Sequence, residues 1–400
     1  MDIIKSLTQE TEPVTSLLTD ILEDTAVFVP LQEAFLTKYL TLLQKKDTGI
    51  INIAEQEIDS MLDIADLDSM YQARLKGLCS LFHIPYNKKI KSFIEVYTVK
   101  KRQQVSVMLS LSKVYFPIFE ELLKKNNMPE DIKYLSVIES ALNPRAGSNK
   151  GAMGLWQFMP YTGKMCYLEV NGIVDQRLDP VKSTEAAIVY LKQLYNIYGD
   201  WALSLAAYNC GPGNVNKAIR RANGKKDYWV IYNYLPRETR GYVPAFIGAL
   251  YAMTYHNEHN IIFDETEQPD LTDVVTVRHP LTLSCIANQI NIPLKTLQDF
   301  NPQYKKGFIP ASAQKSYTLC LPVQYVPLFA ENSDAMYEQT KRQQLELTKI
   351  VYYTVKPGDT LASICRRYPG ISVSEVIALN NLKNSGNTIY ANQVLKIKIE

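Results

Sequence analysis

Apolar residues recur at three- and four-residue intervals over most of the first 256 positions, and this period breaks down near position 257. Leu17, Leu18, Ile21 and Leu22, then Leu36, Tyr39, Leu40 and Leu43, are early examples of a spacing that lays one apolar face along a helix. Residues 1–94 read as a helical N-terminal extension packed on the domain that follows. Helical spacing continues through 95–256, mixed there with aromatics and turn residues. Between 257 and 273, from Asn257-Glu258-His259-Asn260 to Gln268-Pro269-Asp270, polarity rises and the period stops, which marks a linker or boundary. Beyond it, short alternating runs and short helical runs take over in two segments, 274–323 and 350–400. The polar stretch from Glu331 to Lys349 between them reads as a solvated helix or spacer.

Those two segments are an internal repeat. Val277-Arg278-His279-Pro280-Leu281-Thr282-Leu283-Ser284-Cys285-Ile286 lines up with Val355-Lys356-Pro357-Gly358-Asp359-Thr360-Leu361-Ala362-Ser363-Ile364. Each copy then runs through a second helical stretch to an asparagine, Asn301 or Asn380, and ends in an alternating strand at Tyr317–Leu321 or Gln393–Ile397. The unit implied is strand, helix, helix, strand. The fold class expected is therefore mainly α, followed by two small βααβ modules.

In the helical region, Pro129 suits a first helical turn, where its missing N–H is no loss. The helix it opens should run from Asp131 to Leu142 and stop at Asn143-Pro144. Glu139 lies four residues after Leu135 and seven after Ile132, on the inward face with Leu142. A carboxylate held there, near a helix C-terminus, is disfavoured in its charged form both by desolvation and by the helix dipole. An acid kept protonated near neutral pH can donate to a glycosidic oxygen, although a lone buried glutamate is more often a structural ion-pair partner. The next stretch, Ser148 to Pro160, combines Gly151 and Gly154 with Trp156, Gln157 and Met159. Glycines let backbone approach a ligand, Trp156 and Met159 offer apolar faces to sugar rings, and Gln157 offers both donor and acceptor. Ala207-Tyr208-Asn209 and Glu238-Thr239-Arg240-Gly241-Tyr242 follow, again mixing aromatics with hydrogen-bonding groups.

Taken in order, Glu139-Ser140, Gly154-Leu155-Trp156-Gln157, Ala207-Tyr208-Asn209 and Glu238-Thr239-Arg240 with Tyr242 resemble the four motifs of a known domain. This is the goose-lysozyme-like catalytic domain of the soluble-lytic-transglycosylase superfamily, glycoside hydrolase family 23, and the resemblance covers about residues 95–255. The repeats resemble LysM modules, which bind glycans containing N-acetylglucosamine. The combination is most similar to the membrane-bound lytic murein transglycosylase D family. The resemblance implies a lysozyme-like helical domain with Glu139 as acid/base. It places Ser148, Gln157, Met159, Tyr208, Asn209 and Tyr242 along a saccharide groove, and makes Glu238 either an orienting carboxylate or an ion-pair partner of Arg237 or Arg240. It also implies that Gly358, Asp359, Thr360 and Leu361 form one lip of a LysM sugar groove with Ile389 and Tyr390 opposite. The first copy has Pro280-Leu281 where the second has Gly358-Asp359, so a spacer role suits it as well as binding.

The reaction implied is cleavage of the MurNAc-β-1,4-GlcNAc bond with formation of 1,6-anhydro-MurNAc ends, because only one strong carboxylate is supplied where ordinary glycosidases use two. The alternatives are a hydrolytic muramidase on the same fold and a non-catalytic peptidoglycan-binding protein. The rest of the composition narrows little. A net charge of +2 over 400 residues gives no sign of a nucleic-acid partner. No apolar run reaches the roughly 18 residues of a membrane span. The six cysteines have no metal-ligand spacing, so no metal or cofactor is expected; they leave open the pairs Cys166–Cys210 and Cys285–Cys320 or simple burial as thiols. The expected partner is the glycan strand of peptidoglycan. That substrate puts the protein in the periplasm or at the outer membrane, exported by a signal outside this sequence, where a lipid anchor could also lie.

Overall fold

A computed structural model describes residues 64–263, 272–348, 350–368, 371–382 and 388–398. The helical readings from Leu17 to Leu43 and the linker residues Glu265–Asp270 lie outside the described residues. The chain divides into two compact units, Met1–Pro269 and Asp270–Glu400.

The first unit is helical. Its long elements are α1 (Ile64–Leu75), α2 (Lys88–Glu95), α3 (Arg102–Lys125), α4 (Tyr134–Ser140), α5 (Pro160–Met165), α6 (Pro180–Tyr198), α7 (Trp201–Cys210) and α8 (Pro212–Arg221). Two single turns, α9 (Tyr228–Ile231) and α10 (Arg237–Arg240), lead into α11 (Tyr242–Thr254). Local chemistry sets several starts. Asn87 accepts from Lys89 and Ile90 N–H at the head of α2, and Asp179 does the same for α6, each satisfying orphan amides of a first turn. Proline occupies the first helical position of α5, α6 and α8. Every residue of α11 from Tyr242 to Met253 is buried, so this helix is the axis around which the others pack.

Residues 64–94, read from sequence as part of a helical extension packed on the domain that follows, share that core: Tyr71, Leu75, Ile90, Phe93 and Ile94 are buried in one cluster with Phe246 and Leu250 of α11. Burying each such side chain stabilises by about 1.5–3 kcal/mol, which makes α1 and α2 part of the first unit's interior. Residues 257–263, read as the start of a linker, also belong here. Ile261 is buried, Arg102 donates to the Asn260 carbonyl and Ser106 to that of Ile262.

The second unit carries the repeat. In the first copy β1 (Thr272–Val277) pairs antiparallel with β4 (Tyr317–Pro322) around α12 (Leu283–Gln289) and α13 (Leu294–Phe300). A two-residue ladder joins β2 (Leu281–Thr282) to β3 (Phe308–Ile309). A long helix, α14 (Val326–Thr348), follows. In the second copy β5 (Ile350–Thr354) pairs with β6 (Val394–Lys398) around α15 (Leu361–Cys365) and α16 (Val373–Leu379). The matched asparagines perform one task twice. Asn301 donates to the Leu297 and Cys320 carbonyls and accepts from Cys320 N–H; Asn380 does the same with Val376 and Lys396. Each amide ties the second helix of its module to the closing strand.

Of the two readings of Glu331–Lys349, solvated helix or spacer, the helix forms, but one face of it is covered. Phe329, Met336 and Thr340 of α14 are buried, and the helix packs on α12 and β2. The His279 ring lies 4.8 Å from that of Tyr337. In the first copy, then, the turn that corresponds to Gly358-Asp359 sits beneath a helix of the same chain.

All six cysteines are free thiols. Cys285 donates to the Met336 carbonyl and Gln339 Oε1, so it serves the α12–α14 contact.

Candidate active site

The helix expected from Asp131 to Leu142 forms in two pieces and ends early: a 3-10 turn over Glu130–Lys133, then α4 from Tyr134 to Ser140. Ala141 and Leu142 adopt left-handed backbone, φ 51° and 61°. Leu142 N–H reaches back to the Ser136 carbonyl and Ala141 N–H to that of Val137, so the two residues fold back over the last turn. Left-handed geometry costs an ordinary residue about 1–2 kcal/mol. Here both side chains are fully buried, which offsets it. The early stop leaves Glu139 in the last turn, with Ile132, Leu135 and Leu142 behind it in the core.

Glu139 is only partly exposed. Burial pushes its carboxyl up from the ordinary glutamate value to about 7, against the opposing effect of a hydrogen bond donated by the Tyr242 hydroxyl to Oε1. Burial, then the Glu139 charge, in turn holds the hydroxyls of Tyr242 and Tyr208 well above the usual phenol value.

The four motifs close on one another through single hydrogen bonds. Ser140 Oγ donates to the Leu155 carbonyl at 2.9 Å. Tyr208 donates to the Trp156 carbonyl at 2.8 Å. Thr239 Oγ1 donates to Asn209 Oδ1 at 2.8 Å, and Tyr242, three residues on, returns to Glu139. Segments some hundred residues apart in sequence thus form a closed circuit with the acid as one link.

The segment after α4 is a compact double turn in which Gly147 bridges to Met153 and Met153 to Phe158. Ser148 Oγ accepts from Ala152 N–H. Gln157, itself left-handed at φ 47°, donates from Nε2 to the Ala146 and Gly154 carbonyls. Both donors of its amide are therefore spent on the loop, leaving Oε1 as its group for a ligand. At Gly154 a side chain would sit 1.8 Å from the Arg177 carbonyl, so only glycine fits. Met159 is exposed at the start of α5. Trp156, read from sequence as a face for sugars, is fully buried: its Nε1 donates to Thr184 and its ring packs 5.2 Å from Phe119. Its size and its one donor are both consumed by the core.

Glu238 stands on the surface. Its carboxylate lies 3.6 Å from the ammonium of Lys150 on the Ser148 loop. Other buried carboxylates nearby are already engaged: Asp175 with Arg177 and Asp179 with the amides of α6. Among the described residues no cluster of His, Cys, Asp and Glu could hold a metal ion.

Sequence reasoning missed Arg177. This buried guanidinium pairs with both oxygens of Asp175 and donates to the Gly151 and Phe158 carbonyls. It clamps the two ends of the loop that carries Gln157. The available signal was Asp175-Gln176-Arg177-Leu178-Asp179-Pro180 just before a proline-headed helix.

In the last module Asp359 faces inward: Tyr353 and the Lys356 N–H donate to Oδ2, and Arg367 to Oδ1. Leu361 is buried in the module core. Thr360 caps α15 through Oγ1. Of the six residues expected along the LysM groove, Gly358, Thr360 and Tyr390 are exposed and Ile389 half-buried. Asp359 and Leu361 fasten the turn between them to the module from within.

Comparison with known proteins finds matching families in this order along the chain. The Transglycosylase SLT domain matches residues 116–231, the "Lytic transglycosylase MltD, LysM-like domain" residues 271–338, and the LysM domain residues 353–398. The membrane-bound lytic murein transglycosylase D of Escherichia coli (strain K12) is 30% identical over 317 residues, covering 76% of this chain and 67% of that protein. The soluble lytic murein transglycosylase of the same strain is 35% identical over 140 residues, 32% of this chain and 22% of that one. A solved complex of the 70-kDa soluble lytic transglycosylase with bulgecin A is 23% identical at a TM-score of 0.34, covering 54% of this chain and 40% of that one.

Proposed function

The chain belongs to the lytic murein transglycosylase D family, and from that membership we propose that it is a peptidoglycan lytic transglycosylase that cuts the MurNAc-β-1,4-GlcNAc bond through Glu139. The single observation that carries the catalytic assignment is the closed circuit of four motifs around one acid whose carboxyl titrates at about 7.

Glu139 starts protonated and donates to the glycosidic oxygen as the bond to the MurNAc anomeric carbon breaks, so the GlcNAc product leaves with a 4-hydroxyl. The carboxylate then takes the proton of the MurNAc C6 hydroxyl while its oxygen bonds to the anomeric carbon. The 1,6-anhydro ring closes, Glu139 regains its proton, and no water is consumed. Tyr242 holds Oε1, which leaves Oε2 to carry the proton. Intramolecular attack replaces a bimolecular step, so proximity favours it. The surface position of Glu238 and the engagement of Asp175 and Asp179 support a one-carboxylate mechanism over a double displacement. Ser148, Gln157 Oε1, Met159, Tyr208 and Asn209 are the groups proposed to touch the saccharide.

Tethering is assigned to the last module, where Gly358, Thr360, Ile389 and Tyr390 remain available to a glycan. The first module, its corresponding turn covered by α14, serves as an adaptor. The substrate places the protein in the periplasm or against the outer membrane, with export and any lipid anchor supplied outside the described residues. No helix among those residues is long and apolar enough to cross a membrane.

Mass spectrometry of products released from purified sacculi tests the reaction. Anhydro ends are the expected result. Reducing ends would make the enzyme a hydrolase, and no soluble product would make the chain a binding protein.

A further inference from the structure

Outside the circuit, the segment around α5 in the first unit displays large side chains that stand in solvent. Tyr161 is 76% exposed and Tyr167 86%, and Met159 and Met165 are exposed beside them. Tyr161 and Met165 stand one turn apart on the same face of α5, with Lys164 also exposed there. The opposite face is fixed inward: Gly163 rests against the Arg177 side chain and the Leu168 methyl, and Cys166 is buried. The clamp that positions the Gln157 loop therefore also positions this helix.

Tyr167 is set apart by its backbone. It ends the α5 turn in left-handed geometry, φ 68°, with its N–H bonded to the Lys164 carbonyl and the Leu168 N–H to that of Gly163. That closing turn is normally given to glycine or asparagine. Among the described residues ten non-glycine positions have positive φ, and six of them are asparagine. The four exceptions are Ala141, Leu142, Gln157 and Tyr167. The first three belong to the active-site segments, where burial or hydrogen bonds hold them. Tyr167 has neither compensation for its ring, which stands in solvent. Asparagine would close the helix at lower cost, so the turn alone does not account for the ring, and strain held at an exposed aromatic points to use.

We propose that Tyr161 and Tyr167, with Met165 between them, form an outer stacking platform for the murein glycan strand beyond the sugars held at Glu139. The proposal rests on the catalytic reading above. Its occupant follows from continuity. Met159, proposed above to touch the saccharide, is exposed, and α5 begins at the next residue, Pro160, so Tyr161 follows the groove two residues further along the chain. Flat rings standing in water suit the C–H faces of pyranose rings, and no charge at Tyr161 or Tyr167 would repel an uncharged sugar backbone.

The experiment uses the full chain and compares turnover of long glycan strands with that of a tetrasaccharide fragment too short to reach past the catalytic sugars. Turnover is preferred to sedimentation, because the last module holds the chain to sacculi in either case. Tyr161→Ser with Tyr167→Asn should raise KM for long strands about tenfold with little change in kcat, and the loss should be confined to long strands. Tyr167→Trp should restore the wild-type KM where Tyr167→Asn does not. An unchanged KM on long strands would overturn the platform. An equal loss on the tetrasaccharide would also overturn it, by placing the residues in the reacting site or in the fold. A wild-type chain that cuts neither substrate would overturn the catalytic reading and this one with it.

Discussion

Two tyrosine–carboxylate contacts, one at the candidate active site and one in the last module, hold carboxyls that behave oppositely. In the first unit Tyr242 meets Glu139, and burial drives the acid up to about 7. In the second Tyr353 meets Asp359, and the acid is held below its ordinary value by that hydroxyl, the Lys356 amide and Arg367. The shared contact favours the charged form in both places. Arg367 and the amide in one site, and desolvation without a cation in the other, decide the outcome. A carboxylate supplied with several donors is a stable anion that organises a loop. One stripped of water and given a single donor is a reservoir for a proton.

Removing the first acid should have the largest effect. Glu139→Gln keeps the shape and the Tyr242 contact but has no proton to give, and sacculus turnover should fall by on the order of 10²–10⁴ with binding retained. The same variant reports on the pKa. Because the folded carboxyl binds its proton more tightly than the unfolded one, wild-type stability falls as pH rises from the ordinary glutamate value to about 7, then levels off. Glutamine lacks this penalty. The variant should therefore melt above wild type at pH 8 and alongside it at pH 4. Near-wild-type turnover would reject Glu139 as the acid.

Removing the second region should matter on one substrate only. Deleting residues 350–400 takes away the uncovered module and with it the rise in local substrate concentration that tethering gives. Affinity for insoluble sacculi should drop on the order of 10², against little change in cleavage of soluble fragments. Equal loss on both would show that the module supports the catalytic unit rather than the attachment.

Tyr242→Phe separates the two pairs more finely. The hydroxyl lowers the Glu139 pKa, so its loss should move the alkaline limb of the kcat/KM profile above 7. Turnover should fall roughly tenfold as the carboxyl loses its orientation. A limb that moves downward, or stays fixed, would contradict the assigned direction.

Much of this arrangement could be read from residue order. Ile132, Leu135 and Leu142 announced the inward face of Glu139, and the paired asparagines announced the repeat. Tertiary packing took the rest out of reach. Trp156 has the composition of a sugar platform, and only Thr184 and Phe119, contributed by α6 and α3, turn it into core. Ala141 and Leu142 end α4 before Asn143-Pro144 because their burial outweighs a left-handed backbone that neither residue favours. Arg177 lies outside every motif, yet it fixes the loop through carbonyls, which carry no side-chain signature. In the same way most of α14 reads as a solvated helix or spacer, since Phe329, Met336 and Thr340 are widely spaced among polar residues. The period of the apolar positions revealed the helices; which faces they cover depended on partners far along the chain.

The smallest effect should come from Asp359→Asn, and it bears directly on the comparison. If Asp359 organises the lip, its loss acts through order. The folded carboxyl has the lower pKa, so its contribution is present above the ordinary aspartate value and is lost as pH falls through the folded one. At neutral pH the variant should show faster amide hydrogen exchange across residues 350–398 and a two- to threefold weaker hold on N-acetylglucosamine oligomers. Wild type should approach the variant as the pH is lowered below the ordinary aspartate range. Tyr390→Ala provides the contrast, since that ring is exposed and caps nothing in the core: it should weaken the oligomers without altering exchange. The reverse result, with Asp359→Asn abolishing sugar binding while exchange stays as in wild type, would make Asp359 a ligand to the sugar. The two tyrosine–carboxylate pairs would then differ in what they touch rather than in how they are solvated.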